Sequence, residues 1–426
     1  MKNLCFAKYQ RFVCIGAGCA RAKKRKRRAI CACFALFFAI TFAICLFDCT
    51  RVAYAQDKTD EELQKELSDA VNGAIESLDL SELQSFLDSL SSESKQALSV
   101  NDVKDMLKAL VSGESNDFFE GFFNLLSKTA GRYFLSFLPG CITIIAICLL
   151  KNVLCGMTGD FLNNSTSEVV HVVCYCSIVI VLVGGVFDVV SAVSDTIGLL
   201  SDFAGVIFPV LLALLSALGG AGSVGGYSPL MAVFCGSIMK MTSSVILPSF
   251  VACIVFCIVG NLSKSVKLDK LTKFVRSASG WLIGIVFGLF ATFLTMQGIS
   301  GGVIDKFGFN VAKFAVSSYV PILGGYLSDG FDLLTASVVI VKNALGYTGA
   351  IVLCSIVVFP LVKVVVFSLA LKLCGAIAEP IGDGRVATLL TATAKNANLL
   401  VSALAGIGFI FFLIFMMLMS TCNMGV

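Results

Sequence analysis

Most of the chain, from Tyr133 onward, alternates long apolar runs with short polar connections. A helix needs about 20 predominantly apolar residues to cross the hydrocarbon core of a bilayer. The runs predict crossings near residues 133–150, 169–187, 243–260, 280–300, 346–370 and 396–419. Two further apolar segments are interrupted by glycine and proline. The pattern therefore predicts an all-α, polytopic membrane helical bundle of about six to eight spans over residues 133–426.

Residues 56–132 are hydrophilic, and their acidic side chains outnumber the basic ones. Apolar residues from Leu83 to Leu90 recur at helical spacing behind Ser81, which we expect to cap a helix. Aromatic residues at 118–123 precede the first crossing and indicate an interfacial helix on the outer leaflet, with a plain solvent-facing spacer as the alternative. These residues form the predicted acidic extracytoplasmic helical region.

Residues 1–55 have the pattern of a secretory signal. A basic run at 21–28 precedes an apolar segment at 29–47, and Ala53-Tyr54-Ala55 fits a cleavage site between Ala55 and Gln56. A retained signal anchor is the alternative. In both cases the chain after Ala55 starts outside the cytoplasm. The basic residues of 264–276 then mark a cytoplasmic connection, because lysine and arginine concentrate in cytoplasmic loops.

The two interrupted segments, 203–239 and 311–345, are the candidates for a conduit. Pro209 and Pro248 have the same spacing as Pro321 and Pro360, which suggests an internal repeat, with coincidence as the alternative. Interrupted helices occur at membrane depth where protein or a water-filled cavity satisfies the backbone. The broken-helix and conduit candidates are Pro209, Gly222, Pro321, Gly324, Gly325 and Asp329. The competing interpretation of 301–345 is an extracytoplasmic loop with an amphipathic helix.

Composition agrees with a membrane protein and argues against a disulfide scaffold. Hydrophobic residues make up 57% of the chain and charged residues 14%, and the mean hydropathy is +0.91. None of the eighteen cysteines lies in 56–132, where an exported disulfide framework would need them. The basic run at 21–28 belongs to the signal pattern, so nucleic-acid binding is not expected.

Superficial enzyme motifs do not survive inspection. Residues 220–225 fit G-x-G-x-x-G but lie between membrane segments. Residues 298–302 fit G-x-S-x-G, yet the only histidine, His171, precedes the serine, whereas a hydrolase of that type needs one after it. We expect His171 to be packed or hydrogen-bonded, with proton relay as the alternative. The sequence predicts no enzyme, cofactor or metal site.

Two features favour contacts between helices or subunits. Gly280, Gly284 and Gly288 repeat G-x-x-x-G along one span, a pattern that lets a second helix approach closely. Glu379, Asp383 and Arg385 lie in a short polar turn after a long apolar run. That turn is a candidate interaction or gating element, and a capped cytoplasmic loop is the alternative.

From Leu78 onward the chain resembles the stage III sporulation protein AE family of endospore-forming bacteria. The resemblance rests on residues 78–83 (LDLSEL), on 313–315, 319–321 and 327–329, on 341–346 (VKNALG), and on 379–383 (EPIGD). It implies a multipass protein of the mother-cell membrane around the forespore. Its implied partners are other membrane subunits of a channel or secretion-like complex, including products of the same operon and a forespore membrane partner. A secondary transporter and a non-conducting scaffold remain alternatives.

Overall fold

A computed structural model of the chain describes residues 61–90, 94–95, 102–112, 116–158, 164–262, 268–290, 292–293, 324–381 and 384–421. The chain divides into two compact units, residues 1–64 and 65–426. Only 61–64 of the first unit are described, as the first turn of a helix. The predicted cleavage site at Ala55 and Gln56 lies outside the described residues. Every regular element in the described ranges is helical, which confirms the all-α prediction.

The hydrophilic region forms three short helices: α1 (Glu61–Ser77), α2 (Ser81–Ser89) and α3 (Val103–Ser112). The expected cap at Ser81 is wrong, because Ser81 is the first helical residue and Leu80 is the N-cap, without a side-chain cap hydrogen bond. The Asp79 carboxylate, just before the N-cap, binds Ser81 instead. Its Oδ1 accepts the Ser81 hydroxyl at 2.6 Å and the Ser81 backbone N–H at 3.1 Å. These two hydrogen bonds stabilise the charged form, so they lower the pKa of Asp79 below its ordinary 3.8.

Seven further helices follow, and most of them are longer than the crossings predicted from hydropathy. They are α4 (Asn116–Thr158), α5 (Asn164–Ala217), α6 (Ala221–Met241), α7 (Leu247–Leu262), α8 (Asp269–Phe290), α9 (Gly324–Ala378) and α10 (Gly384–Ser420). Within the described ranges, six apolar spans are long enough to cross a membrane: Asn124–Leu154, Val169–Ala217, Cys235–Leu262, Asp269–Phe290, Leu333–Ala378 and Gly384–Ser420. Each predicted crossing overlaps one of them.

The two longest helices extend well beyond the segments that hydropathy predicts, and each contains a proline. α5 has 54 residues and α9 has 55, which corresponds to about 80 Å each, against about 30 Å for the hydrocarbon core. α5 continues through Pro209, and α9 continues through Pro360. Pro248 is the second residue of α7 and follows the π-helical turn Thr242–Ile246, which continues the helix from α6. Pro321 lies outside the described residues, so the internal repeat stays a prediction.

α10 is the centre of the bundle. Of its most apolar stretch, 72% is buried, against 17% for the spans of α4 and α8. Its most extensive contact is with α9, to which it is joined by the turn at 379–381. Phe411 and Phe415 of α10 pack against Phe208 of α5, with ring centroids 5.9 and 5.8 Å apart. Large apolar side chains thus fill the space between α5 and α10.

The chain reverses between α5 and α6 at Gly219, whose φ of 78° lies in the left-handed region. The N–H of Gly220 donates to the carbonyl of Leu215, and the N–H of Gly219 donates to that of Ser216, both at 3.0 Å. This is the Schellman arrangement that ends a helix at a glycine. The predicted interruption of 203–239 is therefore a turn between two helices, and Pro209 does not interrupt α5.

Candidate functional site

The predicted interaction turn lies at the junction of α9 and α10 and reaches α5 through Arg385. The Arg385 Nη1 lies 2.7 Å from Nε2 of His171, although 214 residues separate them. A guanidinium can only donate hydrogen bonds, so the imidazole accepts through Nε2. Glu379 is exposed at the end of α9, and Asp383 lies outside the described residues.

His171 packs near Tyr175, which lies one turn further along α5 and contacts α7. Its ring centroid lies 6.3 Å from that of Tyr175. The buried Tyr175 hydroxyl donates to the carbonyl of Ile258 at 2.7 Å. The α9–α10 turn, the start of α5 and the end of α7 are therefore linked by side-chain contacts. The expectation that His171 is hydrogen-bonded is confirmed.

A second polar contact joins α7, α8 and α10. Asn396 of α10 is buried, with 2% of its surface exposed. Its Nδ2 donates to Sγ of Cys257 at 3.4 Å, and its Oδ1 accepts from Arg276 Nη1 at 3.5 Å. Sequence reasoning counted Arg276 only as a loop charge. Asn396 was missed altogether, and the signal for it was an amide inside an apolar helix, where a partner is required.

The most enclosed charge in the described residues is Lys342 of α9, with 1% of its surface exposed. Its Nζ donates to the carbonyls of Met419, at 3.1 Å, and Thr421. Both carbonyls lie at the C-terminal end of α10, where the helix dipole attracts a cation. The Thr421 hydroxyl lies 3.2 Å from the Tyr227 hydroxyl of α6. Lys342 thus fastens the end of α10 to α9, next to α6.

The glycine ridge of α8 faces open space. A Cβ placed at Gly280, Gly284 or Gly288 would meet nothing within 4 Å. Trp281, on the same helix, is 75% exposed. A neighbouring face of α8 does pack, since Ser279, Ile283 and Phe290 are buried. The predicted close approach to another helix is therefore not made within the described part of this chain, and it stays a prediction about other chains.

The described conduit candidates lie on three helices, α5, α6 and α9, and the structure does not bring them together at one site. Pro209 is exposed in the middle of α5, and Gly222 is exposed in the first turn of α6. Gly324, Gly325 and Asp329 belong to the first two turns of α9. Gly324 and Gly325 are the first two residues of α9, so the backbone is helical there and does not reverse direction. Their part in a conduit stays a hypothesis.

Six apolar spans, of which the span of α10 is the most enclosed, define a multipass, all-α membrane protein. In the described ranges, no group of three or more histidine, cysteine, aspartate or glutamate side chains is arranged to hold a metal ion.

A family model described as Stage III sporulation protein AE matches residues 101–422, and the chain belongs to that family. It is similar to stage III sporulation protein AE of Bacillus subtilis (strain 168), with 24% identity over 282 residues, which cover 66% of this chain and 71% of the relative. No solved structure matches the chain. The resemblance seen in the sequence is confirmed, and a role in sporulation follows from it.

Proposed function

We propose that this chain is a non-enzymatic membrane subunit of a channel or secretion-like complex that links the mother cell and the forespore. The complex sustains late gene expression in the forespore, and the subunit lies in the mother-cell membrane around it. Family membership over residues 101–422, in a chain with six apolar spans, is the observation that carries this proposal. Its partners are other membrane subunits of the complex, including products of the same operon and a forespore membrane protein.

We place the N-terminal helices in the intermembrane space and residues 264–276 in the mother-cell cytoplasm. The positive charge of 264–276 supports this orientation. The six spans of the described ranges would return the end of α10 to the side from which α4 enters. In agreement, Phe86 of α2 lies 5.4 Å from Phe203 of α5, and Phe203 lies 6.0 Å from Phe415 near the end of α10.

The packed interior favours a conduit shared between subunits, or a scaffold, over a pore within one chain. Phe208, Phe411 and Phe415 occupy the space beside α10. Among the residues whose side chains the structure describes, Lys342 is the only buried lysine, arginine, aspartate or glutamate, and it is bound to helix-end carbonyls. A secondary transporter would be expected to place ionisable groups in a substrate cavity, so that alternative is weaker.

Deletion in the spore-forming host tests the assignment. We expect arrest after engulfment, with reporters of late forespore transcription silent, and rescue by the intact gene. Normal spores combined with a nutrient-uptake defect would contradict the proposal and favour a transporter.

A topology reporter tests the orientation. A fusion at Ser265 to an enzyme that is active only after export should be inactive, whereas the same enzyme fused at Asp79 should be active. Activity at Ser265 would overturn the orientation.

Cysteine labelling tests the conduit candidates. Single cysteines at Gly325, Ser328 and Gly330, in a background without native cysteines, would be treated with small and bulky membrane-impermeant thiol reagents. A water-filled cavity requires Ser328→Cys to react with the small reagent and poorly with the bulky one. Free reaction of all three positions with the bulky reagent would exclude a conduit at this segment.

A further inference from the structure

An apolar groove of about 560 Å³ opens on the surface between α5 and α7. One wall is Val190 of α5, and the other is formed by the turn before α7 and by α7 itself. The volume lies within the range of pockets that hold small molecules, about 300–1,000 Å³. The residues that define it here are Val190, Ser243, Leu247, Pro248, Val251 and Val255.

A widened helical turn shapes one wall of the groove. Residues Thr242–Ile246 form a π-helical turn, and the N–H of Leu247 donates to the carbonyl of Thr242. Pro248 has no N–H to donate, so the carbonyl four residues before it cannot receive the usual α-helical bond. The extra residue places Ser243 and Pro248, five positions apart, on the same side. Single π turns of this kind recur at functional sites.

A single cation lies one helical turn above the groove. Lys240 is exposed, and it is the only charged residue between Asp202 and Lys264. The Ser243 hydroxyl, at the polar end of the groove, donates to the backbone carbonyl of Lys240 at 3.2 Å. In the described part of the chain, the Lys240 ammonium forms no ion pair. The Asp188 carboxylate, two residues before Val190, is paired with the Lys363 ammonium at 2.9 Å.

The length of the span gives the depth of the groove in the bilayer. Leu262 precedes the basic connection, so it lies near one face of the hydrocarbon core. About 20 residues cross that core, and counting back from Leu262 reaches Ser243. Lys240 therefore lies at the headgroup level of the opposite leaflet. The groove runs from there into the acyl region.

We infer that this groove binds one glycerophospholipid. The Lys240 ammonium attracts the anionic phosphate, and one acyl chain lies along Leu247, Val251 and Val255, against Val190. The attraction is effective at this depth because the headgroup region is poorer in water than the bulk solvent, which strengthens a charge pair. A bound lipid would fill the groove that Pro248 and the π turn leave between α5 and α7.

Photocrosslinking of the purified full-length chain tests this site. The chain would be reconstituted with phosphatidylglycerol that has a diazirine in one acyl chain, then irradiated, and the labelled peptides would be quantified. We expect adducts on residues 243–256 to exceed those around Leu289, an exposed apolar residue of α8, at least fivefold. Even labelling of the two regions would mean ordinary boundary lipid and would overturn the inference.

Matched variants separate the two parts of the site. Ala252→Trp, which fills the groove, should reduce labelling of 243–256 at least fivefold, whereas Leu289→Trp on the exposed face of α8 should leave it unchanged. Lys240→Gln should reduce the preference for phosphatidylglycerol over phosphatidylcholine at least threefold. Equal labelling of the two tryptophan variants, or an unchanged lipid preference in Lys240→Gln, would overturn the site. Size-exclusion profiles establish that each variant is folded.

The lipid site and the proposed function can fail separately. Crosslinking uses purified protein and needs no sporulating cell, so its failure leaves the sporulation assignment untouched. A deletion strain that sporulates normally would likewise leave the lipid measurement unaffected.

Discussion

Two sets of helical glycines in this protein look alike in sequence and differ in their surroundings. In the α9–α10 contact, a Cβ at Gly349 would lie 2.6 Å from Cε1 of Phe415, and one at Gly408 would lie 2.9 Å from Cγ1 of Val357. On α8, the G-x-x-x-G ridge around Gly284 meets nothing within 4 Å. The first set is filled by side chains of this chain, and the second is open.

The difference shows that glycine spacing predicts a smooth helix face but not what covers it. G-x-x-x-G on α8 favoured close packing, yet the buried side chains of α8, Ser279, Ile283 and Phe290, lie on another face. Phe287, one turn after Gly284, is the residue that contacts Gly406. The glycines that receive side chains on α9 are three apart, at 346 and 349. A large side chain opposite the glycine decides the contact, and that side chain comes from a distant part of the sequence.

The largest expected effect is that of Gly349→Leu. The new side chain would clash with Phe415, which is fully buried and held between Phe203 and Phe208 at 6.0 and 5.8 Å. Overpacking usually costs about 1–3 kcal/mol and sometimes more. Because this ring cannot move aside, we expect a loss of at least about 3 kcal/mol. Denaturant unfolding in detergent would measure it, and unchanged unfolding would show that the α9–α10 contact is not as close as described.

Gly284→Leu is the matched control for that substitution. Nothing opposes the side chain on α8, and leucine has a helix propensity about 1 kcal/mol more favourable than glycine. The purified subunit should therefore be as stable as the wild type or slightly more stable. Equal destabilisation by the two variants would remove the distinction between filled and open glycines.

Lys342→Met should cost somewhat less, about 2–3 kcal/mol. The methionine keeps most of the volume but leaves the carbonyls of Met419 and Thr421 without the cation. Hydrogen bonds to charged groups contribute about 1.5–3 kcal/mol, and the loss of two is partly offset because a buried charge is removed. Lys372→Met, at an exposed position of the same helix, is the control. Amide exchange at the end of α10 would report the loss, which should be absent in the control.

The open ridge leads to a prediction about assembly. Gly284→Leu should reduce co-purification of partner subunits severalfold because close helix approach tolerates no side chain there, whereas Leu282→Val should have little effect. Equal recovery of partners with both variants would show that lipid, not protein, covers the ridge.

The smallest expected effect is outside the membrane, at Asp79→Asn. The lowered pKa of Asp79 means that its charge stabilises the folded state above the ordinary value of 3.8, and that this contribution is lost as the pH falls through the still lower folded-state pKa. At pH 7 the variant should show slightly faster amide exchange at the start of α2. The difference should narrow at pH values below 3.8, and a difference independent of pH would assign the effect to geometry.

The sequence was sufficient to predict a bundle of membrane-spanning helices because a run of about 20 apolar residues is typical of a helix that crosses a bilayer. It underestimated helix lengths for a related reason. A hydropathy window excludes Lys270, Lys273 and Arg276, yet all three belong to α8. Long basic side chains extend to the interface while their backbone stays helical, so charge marks the membrane boundary and not the helix boundary.

The polar contacts could be predicted only in part. The motif 341–346 was noticed, but nothing local indicates that Lys342 binds carbonyls 77 and 79 residues away. The same holds for Arg385 and His171, whose contact depends on how α5 and α10 lie in the bundle. Such pairs become visible only after the helices are arranged in space, because each partner alone resembles a residue at a membrane interface.

The enclosure of α10 has a consequence for biosynthesis. A ribosome releases α4 to α9 before α10, yet α10 is the most buried span, packs along α9, α7 and α5, and is the helix whose end Lys342 holds. During translation the earlier helices must therefore wait in the membrane with their inner faces covered by lipid or by insertion factors. A nonsense mutation before α10 would leave every preceding span inserted but without a common core, and we expect membrane proteases to remove such a product.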